Sequence, residues 1–375
     1  HGREGPGADA GELDDPAACE WTGHGPSSPV QRSEHLLASP SGPRCHRHCT
    51  TETDLPADRI TLGAAALPEP DRAWLAAVEA LAVDSIWQGG HVLPRQPTGE
   101  AITRLSLMTA WTERVRVGAG ILVLPLYPPV LVAKQLADLD AWSGGRLSVG
   151  VGVGGEFPEE FAALGVALAE RGARADEAMG LLRALWSGEA VTHHGRFFDL
   201  DDVTLRAVAP TGAGAASGQA GGPPLLVSGR KGAAMRRAAH LGDGWLPYLY
   251  SAGAYARSVA TIREEAGEAG RDLDAEGFEW ALYCYCSVRA DGDRARDDVA
   301  AFLGGAYGSD PAVLARVAPA GTPDEVAAAL QAYVDAGVRH LVISPAAPED
   351  PLGIVRLAAE EVLPQLTLPA AGGAP

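Results

Sequence analysis

Four consecutive residues, Ser228-Gly229-Arg230-Lys231, have the composition to hold an anion. They follow the short apolar run Leu225–Val227 and precede an Ala-rich stretch that starts at Gly232 and stops at Gly242. That order reads as strand, glycine turn and helix. A helix starting on such a turn leaves its first backbone N–H groups unpaired, and its macrodipole favours negative charge there. Arg230 and Lys231 add cations at the same point, so the turn reads as a phosphate cradle. An ordinary strand-to-helix connection carrying two surface cations is the alternative. Lysine is otherwise represented only by Lys134, which makes Lys231 harder to treat as decoration.

Other stretches offer groups for proton transfer or ring binding. Ile86-Trp87-Gln88-Gly89-Gly90-His91 ends a candidate strand on a histidine in a glycine-loosened loop. His91 is therefore the acid–base candidate, against the plain reading of a solvated loop histidine. Gly150, Gly152 and Gly154 alternate with Val149, Val151 and Val153, and alternate residues of a strand share a face. The valines belong against surrounding helices, and the glycine face leaves room for something large and flat. Gly118 and Gly120 repeat this in a strand running out through Val123. The competing reading is an interior of small residues filled by large ones from elsewhere. In Gly155-Glu156-Phe157-Pro158-Glu159-Glu160-Phe161, Glu156 lies nearest the strand end and is the functional candidate. Glu159 and Glu160 read as first-turn helix residues favoured by the dipole. Trp245 and Tyr248 could line an apolar substrate pocket, or pack in the core.

Groups this far apart in sequence meet only if the elements carrying them converge. Candidate strands are Ile60–Ala66, Asp84–Gln88, Val115–Leu124, Arg146–Val153, Leu225–Val227, Gly244–Tyr248, Glu279–Val288 and His340–Ser344, with amphipathic helices between them. Helix punctuation is regular: Pro129 at a start, Gly144-Gly145 after Trp142, and Thr322-Pro323 as cap and first-turn residue. Eight βα units predict an α/β fold, a (β/α)8 TIM-type barrel, whose reactive groups gather at the C-terminal strand ends; an open doubly wound sheet is the alternative. An insertion at about 189–222, between strands four and five, combines a hairpin in VTHHGRFFDL with the low-complexity TGAGAASGQAGG. Residues 1–55, rich in Gly, Pro, Ser and His without apolar periodicity, are expected to be a disordered N-terminal extension to a barrel domain at 56–368, with a tail at 369–375. The cluster Cys19, His24, Cys45, His46, His48 and Cys49 matches no common zinc spacing, so no metal site is expected.

A net charge of −18 over 375 residues argues against a polyanion partner such as nucleic acid. No apolar run has membrane-spanning length and the N-terminus lacks a signal-peptide pattern, so a cytoplasmic protein is expected; abundant Arg, Ala and Gly with almost no Lys suggest a GC-rich bacterial coding sequence. Five cysteines, with Cys284 and Cys286 in a strand, are expected to be free thiols.

Three blocks together carry a resemblance: ERVRVGAGILVLPLYPPVLVAKQLADLDAWSGGRLSVGVGVGGEFPEEFAALG, ERGARADEAMGLLRALWSGEAVTHHGRFF and LLVSGRKGAAMRRAAHLGDGW. In this order, with the insertion where it stands, the chain from about Arg59 to Leu366 resembles the luciferase-like monooxygenase superfamily, barrel enzymes that use reduced FMN or the deazaflavin coenzyme F420. The resemblance implies that the glycine faces of strands three and four lie near the cofactor ring. It further implies that Ser228 through Lys231 hold the cofactor phosphate and that His91 donates a proton or orients substrate or oxygen. Glu156 matches a glutamate of the deazaflavin members. The chain departs from the family at Gly90, where many members carry an acid, and at Arg230-Lys231, where several carry Gly-Gly.

The resulting expectation is an oxidoreductase, a monooxygenase using reduced FMN and oxygen on an apolar small molecule. A separate flavin reductase would supply the cofactor, and a homodimer would form through helices near strands two and three. Hydride transfer with reduced coenzyme F420 is the alternative. A Schiff-base lyase acting through Lys231 and a flavin-binding protein without turnover are the readings from other classes.

Overall fold

The computed structural model describes residues 59–66, 72–95, 98–206, 222–307 and 316–369. The N-terminal extension with its Cys/His cluster, most of the low-complexity loop and the last six residues lie outside the described residues. The strands are β1 (Thr61–Ala65), β2 (Ser85–Gly90), β3 (Arg116–Val123), β4 (Leu147–Gly152), β5 (Val191–His194), β6 (Asp199–Val203), β7 (Leu225–Val227), β8 (Gly244–Trp245), β9 (Glu279–Val288), β10 (Ala320–Gly321) and β11 (His340–Pro345). Eight of them pair in parallel in the order β9-β11-β1-β2-β3-β4-β7-β8, and a β8–β9 pairing closes the barrel. The expected eight strands are those eight. β5 and β6 form the antiparallel hairpin of the insertion, whereas β10, two residues added to the far end of β9, is too short to leave a sequence signal.

Helices α1 (Arg72–Glu79), α2 (Ala101–Trp111), α3 (Pro129–Ser143), α4 (Pro158–Ala163), α5 (Arg171–Trp186), α6 (Gly232–Leu241), α7 (Ala252–Glu268) and α8 (Gly292–Tyr307) follow the strands, with Pro323–Asp335 and Pro351–Leu357 completing the ring. Their ends obey local rules. The Glu100 carboxylate caps α2 by accepting from the Ile102 and Thr103 amides, Gly144 ends α3 at φ +73°, and Thr322 and Glu325 form a capping box. Among the described residues no helix is long and apolar enough to cross a membrane.

Two cores result. The outer one lies between sheet and helices and takes Val149, Val151, Leu225, Val227, Cys284 and Cys286; burial raises the Cys284 thiol to about 12 and that of Cys286 well above its usual value. The inner one fills the barrel with Trp87, Leu226, Leu246, Ala281 and Val342, flanked by Ile121 and Tyr283. This corrects the expected ring-sized gap. A Cβ on Gly118 would lie 2.4 Å from the Trp87 ring, one on Gly120 would lie 3.2 Å from the Tyr283 ring, and one on Gly150 would meet the Ala119 carbonyl and then Ile121 and Leu246. The glycine face does point inward, but its lower layers accommodate protein side chains, because an interior must close to normal packing density.

Below Trp87 the floor is polar. His340 Nδ1 lies 2.7 Å from Thr61 Oγ1, His340 Nε2 lies 2.8 Å from Ser85 Oγ, and Trp87 Nε1 donates to that hydroxyl. Arg116 on β3 reaches across the floor to Glu279 on β9 at 3.0 Å and also bonds Ser148. Burial, reinforced by Arg116, pushes the His340 imidazole down to about 3, so it stays neutral.

Candidate active site

His91 follows β2, Val123 ends β3, Gly152 ends β4, Ser228 follows β7 and Tyr248 follows β8, so these candidates gather at the mouth opposite the polar floor. His91 Nδ1 is 3.0 Å from Glu160 Oε1, and the Phe157 ring stands edge-on to the imidazole at 4.7 Å. Glu160 has a fully buried side chain, and its other oxygen accepts from the Val92 amide at 3.0 Å and the Leu93 amide at 3.5 Å. The sequence reading missed this residue. Glu159 and Glu160 are adjacent, and a helix as short as α4 has no readable phase, so only the fold shows that Glu160 turns inward and Glu159 outward.

Across the mouth, Tyr248 donates its hydroxyl to Glu156. Arg230 sits 5.1 Å over the Tyr248 ring and donates from Nη1 to the Leu249 carbonyl at 2.8 Å. Loops after β4, β7 and β8 are thereby tied together. Arg230 thus takes part in this tie, and both it and Lys231 at the start of α6 are exposed.

The glycine turn between β7 and α6 has the expected geometry. The Ser228 amide donates to Val151 O at 2.8 Å, Gly229 adopts φ +125°, and a Cβ there would lie 2.7 Å from the Ala234 side chain. Only glycine suits that turn. Lys231 precedes the first helical residue and no side chain caps α6, so this helix end keeps its capacity for an acidic ligand. A second cation, unnoticed in the sequence, lies on the loop after the neighbouring strand β4. Arg171, the first residue of α5, donates from Nη1 to Leu168 O at 2.8 Å, yet its Nε is buried without a partner. A Cβ on Gly155 would lie 3.2 Å from that Nε, so the guanidinium rests on the β4–α4 loop. β4 and β7 are paired neighbours, which brings this loop beside the cradle. An orphaned buried donor on the loop after β4 and an uncapped helix end after the neighbouring strand β7 are both groups that suit a phosphate.

Further corrections concern the lining. Trp245 is fully buried, stacks at 4.8 Å against Tyr255 and donates to Gly229 O, so it supports the cradle from the outer core and lines no pocket. Gly154 lies beyond β4 at φ +58°, with Val123 Cγ1 2.7 Å and Phe161 3.3 Å from a would-be Cβ; the alternation ends before it. Val123 packs with Leu126 and Phe161 beneath α4. Gly152 alone keeps the expected inward position near the mouth, 2.5 Å from Ile121 if given a Cβ. Among the described residues no cluster of three or more His, Cys, Asp or Glu could hold a metal.

Residues 59–312 match the family profile described as luciferase-like monooxygenase. The chain is 30% identical to an F420-dependent glucose-6-phosphate dehydrogenase of Beutenbergia cavernae, over 78% of this chain and 92% of that one. It is 38% identical to an FMNH2-dependent dimethylsulfone monooxygenase of Pseudomonas putida, over 28% of this chain and 30% of that one. Uncharacterized mycobacterial relatives at 35% identity are matched over 57% of their length, so the chain spans little more than half of them. A solved F420-dependent secondary alcohol dehydrogenase shares the fold with a TM-score of 0.70 at 21% identity, covering 82% of this chain and 99% of that one. The barrel order and the profile match over residues 59–312 agree, and the chain belongs to the luciferase-like monooxygenase family.

Proposed function

We propose that this protein is an oxidoreductase that binds a reduced flavin or deazaflavin at the barrel mouth and acts on an apolar small molecule. The observation that carries the reading is the turn after β7: Gly229 in its left-handed conformation leads into the uncapped α6, and the unpartnered Arg171 Nε lies against the loop after the neighbouring strand β4. Ser228, Gly229, Lys231 and Arg171 would hold the cofactor phosphate, while Gly152 and Ile121 leave the ring at the top of the interior, above Trp87. Bound there, the cofactor supplies the redox step, hydride exchange for coenzyme F420 or oxygen activation for reduced FMN.

The chain's own residues do the rest. His91, held by Glu160, handles a proton on one side of the mouth, and the Tyr248–Glu156 pair does so on the other. Ile121, Tyr248, Tyr283 and Tyr285, all half-buried, give an aromatic and apolar lining suited to a substrate without charge. Two proton-handling groups, together with the extent of the F420-dependent relative, favour hydride transfer with coenzyme F420. The higher local identity to the FMNH2-dependent relative keeps the monooxygenase, with its flavin reductase, as the second reading. The test is anaerobic titration of the full chain with reduced FMN and with reduced F420. Binding of neither sinks the assignment; if one binds, oxygen-dependent turnover selects the monooxygenase and oxygen-independent turnover the dehydrogenase.

A further inference from the structure

We infer that Glu160 is a positioning residue that fixes which nitrogen of His91 carries a proton, leaving Nε2 as the only nitrogen able to exchange one with a ligand at the mouth. The catalytic consequence rests on the reading of His91 given above; the tautomer itself does not.

Glu160 Oε1 lies 3.0 Å from His91 Nδ1, and the carboxylate is fully buried whereas the histidine side chain is 27% exposed. A carboxylate only accepts, so Nδ1 must be the donor. The carboxylate cannot turn away, because Oε2 is held by the backbone amides of Val92 and Leu93. Nor can the imidazole swing freely, with the Phe157 ring edge-on at 4.7 Å. The other group that faces Glu160 electrostatically is Tyr127, whose hydroxyl is pushed up by burial and by the neighbouring Glu100 and Glu160, and so stays protonated. Nδ1–H is thus tied to the buried side and Nε2 is left for the mouth.

This arrangement makes Glu160→Gln more than a loss of charge. A carboxamide has one accepting oxygen and one donating nitrogen. The two backbone N–H groups of Val92 and Leu93 cannot reverse their polarity, so they claim the oxygen. The NH2 group then faces His91 Nδ1, which must become an acceptor, and the proton moves to Nε2. The variant inverts the tautomer while preserving shape and volume.

The experiment uses the full chain with 15N-labelled histidine, in which the His91 resonances are assigned by their loss in His91→Gln. In the neutral imidazole of the wild type, read on the basic side of its titration, Nδ1 is expected in the pyrrole-type region and Nε2 in the pyridine-type region; in Glu160→Gln the two exchange. Carbethoxylation by diethyl pyrocarbonate, which attacks an unprotonated imidazole nitrogen, should fall severalfold at His91 in the variant. A wild-type Nε2–H tautomer overturns the inference without any variant, so it remains falsifiable even if Glu160→Gln does not fold. An unchanged tautomer in a folded Glu160→Gln also overturns it. Neither readout needs cofactor, so failure to bind FMN or F420 would defeat the proposed function while leaving this result standing.

Discussion

Arg171 and His340 show how burial gives a single side chain its task. Arg171 has one guanidinium nitrogen bonded to Leu168 and a buried Nε with no partner, against the loop after β4, a desolvation cost that a ligand anion would relieve. Arg171→Met should therefore weaken reduced FMN about tenfold or more, the size of a lost charged hydrogen bond of roughly 1.5–3 kcal/mol, and leave riboflavin, the same ring without phosphate, unchanged. Equal weakening of both in an anaerobic titration would remove Arg171 from the phosphate site. His340 makes the opposite use of burial. Its folded value of about 3 lies below the ordinary 6.5, so the unfolded chain takes up the proton first as pH falls. Stability is complete above about 6.5 and is lost as pH drops toward 3, by up to roughly 1.4 kcal/mol per pH unit. Urea midpoints between pH 7 and 4 measure that slope, and His340→Gln should flatten it.

At the scale of elements, the strand glycines hold two different roles. Gly118 exists for Trp87: Gly118→Ala puts a Cβ 2.4 Å from the indole and should cost about 1–3 kcal/mol of stability through overpacking, recovered in part when Trp87 is also cut to Leu. A Gly118→Ala variant as stable as the wild type in chemical denaturation contradicts that packing. Gly229, just beyond β7, serves the turn that begins α6, where its φ of +125° would strain any other residue whatever is trimmed around it. The insertion is fastened the same way, by a side chain rather than by its own strands. Glu177 on α5 accepts from the Arg196, Phe197 and Phe198 amides and from His193. Burial alone would raise its carboxyl, but the bonds from His193, Phe197 and Phe198 outweigh it and hold the value low. The hairpin is thereby pinned to α5 and cannot drift from the wall of the barrel.

Across the whole molecule, the Arg116–Glu279 pair joins opposite sides of the barrel floor. Arg116→Met leaves a largely buried carboxylate unpaired and should cost about 3–5 kcal/mol, while the double replacement Arg116→Met with Glu279→Leu should recover most of it. Thermal unfolding of the three variants checks this, and a double variant no better than the single one refutes it. The outer surface bears on the proposed homodimer. Trp142 is 69% exposed and Leu131 54% exposed, both on α3 beside the groove formed with α2. Apolar side chains of this size gathered on one helix suit a second copy. Trp142→Glu with Leu131→Glu should shift the protein from dimer to monomer in sedimentation; a wild type that sediments as a monomer contradicts it.

The amino-acid sequence by itself determined the ring of strands and helices, because strand and helix periods, proline starts and glycine stops are local properties. The strand Leu225–Val227, the turn at Ser228–Lys231 and the helix Gly232–Leu241 stand where residue order placed them. The fold alone decided how side chains from distant segments meet. Glu160 and Glu159 are indistinguishable as neighbours, and only the register of α4 against the β2 loop gives one of them to His91. Arg230 carries the charge a phosphate turn suggests and is met by Tyr248 and Leu249, brought over by β8, while Arg171 from α5 rests against Gly155 on the loop after β4. Pairing across a barrel depends on strand order and helix phase together, and a linear chain shows neither until it closes.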